Sequence, residues 1–510
     1  MTESWANTCV GGVDLHLDLR GGPGARSGLR ARLMDALREA VRGGRLAPGT
    51  RLPSSRSLAV DLGVARNTVA DAYGALVAEG WLTARQGSGT RVAARAVPAR
   101  PAPRRGTGGA PASAAAPHPA TADRPAYSLL PGSPDLSAFP RAAWVRATRR
   151  ALTVAPYDAF GCAYDETRGR IELRTALSGY LARTRGVDAS PERIVVCSGT
   201  AHGLMLLGKV LRARRVRAVA VDAYGMPVHR DLLAAAGLRT PALPLDARGS
   251  RTEELAGTAM AAGPAAASGP AAGVGAVLLT PAHQFPTGGA LHPERRAAAV
   301  DWARAAGGLI LEDDYDGEFR YDGQSVGALQ GLDPERVVFM GTASKSLAPG
   351  LRLAWMVLPR ELVTEVAAAK GQADWASSTL EQLTLAEFIT SGAYDRQIRA
   401  MRGHYRRRRD QLVEALAELA PDIRVTGIAA GLHAVVRLPP GTERPTLAAA
   451  RRQGLRLEGL SWFRHPAAPA APAATADPSA SYDALVVGYG TPPDSAWAGA
   501  LDTLRRVLPT

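Results

Sequence analysis

Between residues 27 and 92 the apolar positions recur at the intervals of α-helices and then alternate as in short strands. Apolar residues three and four apart predict three helices that each end at a glycine: residues 27–43, 54–63 and 65–80. Ser54 or Ser55 is placed to cap the second of them. Two extended segments follow, 81–84 and 90–93, around a glycine-containing loop. The pattern predicts a helix-turn-helix domain with a β-hairpin, over residues 27–92.

The segments that flank this domain are poor in large apolar residues. Residues 1–26 are glycine-rich and give only a weak strand-like pattern at 13–19, so we predict an N-terminal extension. Residues 93–126 are mostly Pro, Ala, Gly and Arg. Burial of so few apolar side chains cannot offset the entropy of ordering the chain, which predicts a flexible linker that lets the flanking domains reorient.

From residue 127 to residue 510, strand-like and helix-like segments alternate. Short apolar runs rich in β-branched residues predict strands: 194–197, 218–221, 274–280, 309–312 and 337–341. Helical patterns between them indicate a largely parallel sheet covered by helices, which is an α/β fold. After about residue 380, long helices and two later strands predict a smaller α+β part. Patches rich in Ala, Gly and Pro at 256–273 and 466–480 are predicted to be surface insertions.

Composition limits the classes of protein that fit this pattern. A chain of 510 residues favours two or more domains, and a formal net charge of +14 favours a polyanionic partner. The three cysteines have no metal-ligand spacing, so we predict a reducing compartment, no disulfide framework and no metal site. Neither a signal peptide nor an apolar run of membrane-spanning length is visible. These features predict a soluble, cytoplasmic protein without a membrane partner.

The first domain carries charge suited to nucleic acid. Residues 27–92 contain 10 Arg, no Lys and five acidic residues, for a net charge of +5. Charge of that sign beside a helix-turn-helix pattern suits contact with phosphates and entry into a DNA groove. A basic three-helix bundle that binds protein is the alternative.

Two stretches, Leu-Pro-Ser-Ser-Arg at 52–56 and Leu-Gly-Val-Ala-Arg-Asn-Thr-Val at 62–69, resemble the winged helix-turn-helix of GntR-type bacterial regulators. The resemblance covers nearly all of residues 29–92, including Gly-Ser-Gly-Thr at 87–90. It implies double-stranded promoter DNA as the partner. The residues that it assigns to bases, phosphates or the minor groove are Arg66, Asn67, Thr68, Arg56, Arg85 and Gly87.

Lys345 is one of only three lysines in a chain with 61 Lys plus Arg. It follows the apolar run 337–340, and hydroxyl-bearing and small residues surround it. An amine can lose its proton and attack a carbonyl carbon, whereas a guanidinium cannot. Lys345 is therefore our candidate for a covalent attachment point.

The residues that pyridoxal phosphate would need besides a lysine are present. The ring nitrogen needs an anion, the ring oxygen a donor and the phosphate a cradle. Asp313 and Tyr315 follow a predicted strand, where the ligands of open α/β sheets bind. The turn at 198–201 comes between a strand and a helix, so its amides suit a phosphate, with Thr342 and Arg352 nearby in sequence to Lys345.

Residues 127–510 as a whole resemble the type I aminotransferase fold. The motifs that carry the resemblance are Pro-Gly-Ser-Pro-Asp at 131–135, Thr-Pro-Ala-His-Gln-Phe-Pro-Thr-Gly at 280–288, Glu-Asp-Asp-Tyr-Asp-Gly-Glu-Phe at 312–319 and the Lys345 stretch. Together with the first domain, the chain resembles the MocR/GabR-type regulators.

This resemblance implies a role for each matching residue. Lys345 would be the catalytic residue, bonded covalently to the cofactor, while Asp313 pairs with the ring nitrogen. Tyr315 would bond the ring hydroxyl, with His283 or Gln284 close by. The implied phosphate contacts are Gly199, Thr200, Thr342 and Arg352. Tyr164 resembles a tyrosine that reaches the phosphate of a neighbouring subunit, which implies a homodimer.

Two positions depart from the family pattern. In the turn that normally presents an aromatic ring to the cofactor, Met226 aligns with the ring position, and a shifted Tyr224 is the alternative. Where a GABA-responsive member has an arginine for the ligand carboxylate, this chain has Trp462, with Arg464 two residues later. An indole ring cannot pair with a carboxylate. The sequence thus argues against an α-amino acid or GABA bound in the usual way.

The leading hypothesis is a transcriptional regulator that senses a small molecule through the pyridoxal phosphate domain. The effector is either an amine or amino acid, or the cofactor itself, and the departure at Trp462 favours the cofactor. A working aminotransferase with an accessory DNA-binding domain is the alternative. A regulator with a vestigial lysine is a third, disfavoured while the other cofactor residues remain.

Overall fold

The computed structural model describes residues 28–85, 89–94, 125–161, 166–255, 273–321, 326–417, 423–468 and 482–509. They form two compact units, one within residues 1–117 and one within residues 118–510. Several predicted features lie outside the described residues: the strand-like pattern at 13–19, Gly87, Tyr164, residues 95–124 of the linker and most of both low-complexity patches.

The described part of the smaller unit is a helix-turn-helix followed by a hairpin, as the sequence predicts. Its elements are α1 (Leu29–Arg42), α2 (Ser55–Leu62), α3 (Arg66–Ala78), β1 (Leu82–Arg85) and β2 (Gly89–Val92). Ser54 caps α2 by accepting a hydrogen bond from the Ser57 amide, at 3.1 Å. Gly63 ends α2 in the left-handed conformation, which glycine adopts without strain.

Apolar side chains from all three helices and the hairpin form the core of this unit. Leu37 of α1, Val69 and Leu76 of α3, and Leu82 of β1 are each almost completely buried. Within a helix, residues seven apart, such as Val69 and Leu76 of α3, lie on the same face. The beginning of α3 is left at the surface, where Arg66 and Asn67 are exposed.

The larger unit alternates helices and strands along most of its length. Its helices are α4 (Arg141–Val154), α5 (Ile171–Arg185), α6 (Thr200–Ala213), α7 (Pro227–Ala235), α8 (Pro293–Ala306), α9 (Arg360–Ala373), α10 (Thr379–Thr390), α11 (Ala393–Ala417), α12 (Glu443–Arg452) and α13 (Asp494–Val507). Its strands are β3 (Tyr127–Ser128), β4 (Ile194–Cys197), β5 (Ala218–Asp222), β6 (Ala242–Leu243), β7 (Leu245–Asp246), β8 (Gly249–Ser250), β9 (Val274–Leu279), β10 (Leu309–Asp314), β11 (Val337–Thr342), β12 (Ala354–Val357), β13 (Arg424–Thr426), β14 (Ala434–Arg437), β15 (Leu455–Arg456), β16 (Glu458–Gly459) and β17 (Ala484–Val487).

In the described part of this unit, seven strands form the main sheet in the order β4-β12-β11-β10-β9-β5-β6. The neighbours from β11 to β6 pair in parallel, whereas β12 is antiparallel to both β11 and β4. The largely parallel sheet confirms the predicted α/β class, although the sequence pattern did not identify β12. Because β5, β9, β10 and β11 run parallel, their carboxyl ends meet at one edge of the sheet.

Both faces of the sheet are covered, which explains why its strands are apolar throughout. Every residue of β4, β5, β11 and β12 is buried. Helices α6 and α9 pack against one face, and the core on the other face includes α5, α10 and α11. A second sheet among the described residues, in the order β13-β14-β17-β16, forms the smaller α+β part that the sequence predicts after residue 380.

A buried ion pair joins α5 to the end of β10. The Arg185 guanidinium donates two hydrogen bonds to the Asp314 carboxylate, at 2.7 and 2.9 Å, and another to the Val326 carbonyl at 2.9 Å. Both side chains are at most 4% exposed. Bidentate geometry satisfies each charge where water cannot reach it.

No helix in the described residues is both long and apolar enough to cross a membrane.

Replacing Arg185 with Met is expected to destabilise the larger unit by about 3–5 kcal/mol, because Asp314 would keep a buried charge without a partner. Arg183→Met on the same helix is the matched control. It breaks an ion pair with Asp395 in which the arginine is 59% exposed, and such pairs contribute about 1 kcal/mol or less. Thermal unfolding followed by circular dichroism checks both, and equal losses in the two variants would contradict this account.

Candidate functional site

A cavity of about 550 Å³ opens at the edge where the parallel strands end. Its lining comes from segments far apart in sequence, including the ends of β5, β9, β10 and β11, the start of α6, and residues 130–133. Most of the lining is apolar, and a few polar groups converge on the space. Lys345, Asp313 and Arg352 are the charged side chains that the sequence singled out and that lie here.

Lys345 lies in the turn after β11, with its side chain directed into the cavity. Its Nζ donates a hydrogen bond to the Gly132 carbonyl, which belongs to the Pro-Gly-Ser-Pro-Asp motif. Burial lowers the pKa of the Lys345 amine, and the nearby carboxylates of Asp313 and Asp316 oppose that shift. A larger fraction of this amine is therefore unprotonated, and hence nucleophilic, than of an exposed lysine at the same pH.

Asp313 is a buried carboxylate with one oxygen that lacks a protein partner. It is the penultimate residue of β10, it lines the cavity and it is 5% exposed. Its Oδ1 makes no hydrogen bond with any residue that the structure describes. Burial raises the pKa of Asp313 to about 7, against the attraction of Lys345, and Asp314 and Asp316 raise it further. A cationic N–H group in the cavity would satisfy this oxygen.

Tyr315 points its hydroxyl at the cavity from the loop after β10. The hydroxyl lies 3.1 Å from Nδ1 of His283, and that same nitrogen lies 2.8 Å from the Asp316 carboxylate. Burial and the neighbouring carboxylates raise the pKa of Tyr315 well above its ordinary value, so the hydroxyl keeps its proton. If the His283 proton is on Nδ1 and bonds Asp316, the tyrosine proton is available to a ligand.

The turn before α6 is shaped for an anion. Gly199 has φ +117°, and a Cβ atom there would lie 2.7 Å from Nη2 of Arg352, so a side chain would displace the guanidinium. Arg352 itself adopts a left-handed backbone, with φ +54°. The Thr342 hydroxyl lies 2.8 Å from that of Ser344. Backbone amides at a helix N-terminus with an adjacent arginine form a suitable phosphate site.

The cavity brings together most of the site residues that the sequence predicts. Seven of them are among its lining residues: Lys345, Asp313, Tyr315, Gly199, Thr200, Thr342 and Arg352. His283 lies behind Tyr315 and contacts that residue and Asp316. Tyr224 and Met226 both line the cavity, so the two alternatives for the ring-facing residue remain open.

Several lining residues had no place in the sequence prediction. Asp222 ends β5, and its carboxylate accepts hydrogen bonds from Ser250 at 2.7 Å and Gln284 at 3.1 Å. Burial raises the pKa of Asp222 to about 7. His229 and Arg230, on the first turn of α7, also face the cavity. The only sequence signal for this pair is their place in the helix that follows the Met226 turn.

Three of the predicted DNA contacts, Arg56, Arg66 and Asn67, are exposed on the smaller unit. Arg66 and Asn67 are exposed at the beginning of α3 and Thr68 is half-buried. Arg56 is exposed on the first turn of α2, and Arg85 is the last residue of β1.

The two units match two different protein families. Residues 29–92 match the family described as bacterial regulatory proteins, gntR family. Residues 143–461 match the family aminotransferase class I and II. The winged helix and the residues around the cavity therefore match two different family models within one chain.

Relatives with both units cover most of the chain. The pyridoxine biosynthesis transcriptional regulator PdxR of Corynebacterium glutamicum is 31% identical over 86% of this chain and 90% of its own length. The probable rhizopine catabolism regulatory protein MocR of Rhizobium meliloti is 33% identical over 85% of this chain and 86% of its own. The transcriptional regulator TauR of Rhodobacter capsulatus is 33% identical over 87% and 91%.

Solved structures share the fold of the larger unit. An archaeal alanine:glyoxylate aminotransferase superposes with a TM-score of 0.65 at 23% identity, over 75% of this chain and 90% of that one. The kynurenine aminotransferase of Pyrococcus horikoshii gives a TM-score of 0.64 at 24% identity, over 76% and 91%.

The raised pKa of Asp313 predicts a pH-dependent effect of its removal. In the folded protein the carboxyl has a pKa of about 7 against an ordinary 3.8, so folding binds a proton between these values and stability falls as pH rises through them. Asp313→Asn is therefore expected to raise the thermal midpoint of the ligand-free protein by several degrees at pH 8, and by less than half as much at pH 5, because pH 5 lies between the two pKa values. Calorimetry at both pH values checks this, and a lower midpoint at pH 8 would contradict it.

Proposed function

We infer that this chain, which belongs to the MocR-type regulators that join a GntR-family domain to a class I and II aminotransferase domain, is a transcriptional regulator. The observation that carries the inference is the presence, in one chain, of an exposed DNA-recognition helix and of a cavity built around a lysine. A free-standing enzyme needs only the second of these.

The cavity residues fit pyridoxal 5'-phosphate, which we propose as the cofactor. The orphaned oxygen of Asp313 would accept a hydrogen bond from the protonated ring nitrogen, so that both buried charges gain a partner. The Tyr315 hydroxyl would donate to the ring oxygen. The contacts proposed for the phosphate are Gly199, Thr200, Thr342 and Arg352.

When bound, pyridoxal phosphate supplies an aldehyde carbon open to attack by a primary amine and a ring that withdraws electrons. Lys345 would anchor it, since burial keeps a nucleophilic fraction of this amine. His283 would act behind the site as a positioning residue, because its contacts with Asp316 and Tyr315 orient the tyrosine hydroxyl. The apolar lining would exclude water from these contacts.

We propose that the smaller unit binds double-stranded promoter DNA. Arg66 and Asn67 would contact base edges, and Thr68 a phosphate, from the exposed start of α3. Arg56, Arg85 and Gly87 would contact phosphates or the minor groove. A net charge of +5 over residues 27–92 supports association with a polyanion.

A small-molecule effector would act at the cavity. It is either an amine or amino acid that competes with Lys345 for the cofactor, or the cofactor itself. Regulation requires that the effector bind two conformations of the protein with different affinity. Vitamin B6 metabolism and the metabolism of amino compounds are the two kinds of pathway that these effectors would report on.

A homodimer is the proposed assembly. Several large apolar side chains are exposed on α4 and on the segment after it: Val145, Leu152, Val154, Tyr157 and Phe160. Packing of a second copy against this face would remove them from water.

Catalytic transamination is the alternative, favoured by the fold of the larger unit and by Lys345. It is less well supported, because the relatives that span both units carry the names of regulators. Complete turnover of an amino acid with a keto acid would favour it.

Replacing Lys345 with Ala is expected to abolish the visible absorption band that the wild type acquires with pyridoxal phosphate, because the covalent anchor is lost. Lys209→Ala, which removes an exposed lysine on α6, should leave the band unchanged. Absorption spectra of purified and cofactor-supplemented protein check both. A wild type that stays colourless with added cofactor would refute the cofactor proposal.

Arg66→Ala is expected to weaken binding to the cognate promoter by about 5-fold or more, since a bidentate base contact contributes about 1–3 kcal/mol. Arg212→Ala on α6 removes the same charge from the larger unit and serves as the control. Fluorescence anisotropy across a salt series measures both. Equal affinity of wild type for promoter and for random DNA, at every salt concentration, would refute the regulator proposal.

A further inference from the structure

Arg230 is a cation in the cavity that the proposed cofactor contacts leave unused. It belongs to α7, whose first residue is Pro227, and it lies beside His229. Its side chain is half-buried and lines the same space as Lys345. Lys345 and Arg352 have assigned partners in the cofactor aldehyde and phosphate, whereas Arg230 has none.

The protein holds the Arg230 guanidinium in place through backbone carbonyls rather than through an acid. Nη1 donates to the carbonyls of Gly225 at 3.0 Å and Phe463 at 3.3 Å, and Nη2 approaches the carbonyl of Arg464 at 3.5 Å. Among the residues that the structure describes, no carboxylate forms an ion pair with Arg230. The position of the cation is thus fixed while its charge is not neutralised.

Partial burial disfavours the charged form of this side chain. It lowers the pKa of Arg230, and the attraction of Asp231 only partly offsets the effect. An arginine remains charged after such a shift. The neighbouring His229 adds no charge near neutral pH, because burial lowers its pKa to about 4. A partly desolvated guanidinium that is held in place and has no carboxylate partner among the described residues, and that lines a ligand cavity, is complementary to an anion.

The alternative arginine near the C-terminus is oriented elsewhere. Arg464, two residues after Trp462, donates from Nη2 to the Ala468 carbonyl at 2.8 Å and is not among the residues that line the cavity. Trp462 is 49% exposed. The 460–464 segment contributes two backbone carbonyls, those of Phe463 and Arg464, which accept hydrogen bonds from Arg230.

We propose that Arg230 binds the anionic end of the effector, which makes the effector a small primary amine that also carries a carboxylate. The proposal rests on the proposed function, since the amine end is the part that would act at the cofactor. In this proposal the carboxylate contact comes from Arg230 of α7, and not from an arginine near the C-terminus as in the GABA-responsive member of the family. The proposal also favours an amino acid over the cofactor itself as the signal, against the direction that Trp462 suggested from sequence.

The test compares ligands that differ only in the anion. β-Alanine, 4-aminobutyrate and 5-aminopentanoate are titrated into cofactor-loaded protein alongside ethylamine, propylamine and butylamine, which lack the carboxylate. Isothermal calorimetry gives the affinities, and the visible spectrum reports the amine end separately. At least one amino carboxylate should bind about 10-fold or more tightly than its alkylamine counterpart, as expected for a charge-assisted hydrogen-bonded pair.

Arg230→Gln should remove that advantage while leaving alkylamine binding and the spectrum of the loaded protein unchanged. Arg230→Lys should retain part of it, and Arg464→Gln is the control expected to keep it whole. An advantage that survives in Arg230→Gln, or amino carboxylates that bind no better than alkylamines or not at all to loaded wild type, would overturn the proposal. Failure of the proposed function would instead appear earlier, as absent cofactor uptake or absent promoter binding.

Discussion

The larger unit depends on how it accommodates three consecutive carboxylates at the buried end of β10. Side chains alternate along a strand, so Glu312 and Asp314 point to one face and Asp313 to the other. Glu312 accepts hydrogen bonds from the amides of Leu329 and Gln330 at 2.7 and 2.9 Å, and Asp314 pairs with Arg185. Asp313 alone of the three faces the cavity with an unpaired oxygen. The protein thus supplies hydrogen-bond partners for two of the buried carboxylates internally and leaves an oxygen of the third for a ligand.

The sequence predicted the fold because its signals were local and agreed with one another. Glycines ended each helix of the smaller unit, Ser54 capped α2, and β-branched runs matched β4, β5, β9, β10 and β11. One strand inside the main sheet that the pattern did not identify, β12, is Ala-Trp-Met-Val, a composition without a β-branched majority. Its antiparallel place between β11 and β4 depends on long-range pairing, which a short apolar segment does not encode by itself.

The difference between local sequence signals and long-range contacts also explains which parts of the site were predictable. Asp313 lies at the end of β10, and Lys345 and Tyr315 follow β11 and β10. All three stand in recognisable motifs, so both their residue types and their positions predicted the site. The contact of Lys345 with the Gly132 carbonyl joins segments 213 residues apart and involves a backbone atom. Arg230 gave no signal either, because in a chain so rich in arginine only the folded structure separates a cavity-lining guanidinium from a surface one.

The part of the cavity proposed to hold the cofactor and the part around Arg230 are built from different segments of the chain. The residues proposed to hold the cofactor come from the turn before α6 and from the ends of β10 and β11. Arg230 comes from α7, and the carbonyls that hold it come from the turn before that helix and from residues 463–464. Under the proposed roles, substitutions in α7 would change which metabolite is recognised without altering the residues that hold the cofactor. After gene duplication, such an arrangement would let one scaffold acquire new signals through a few changes in a single short helix.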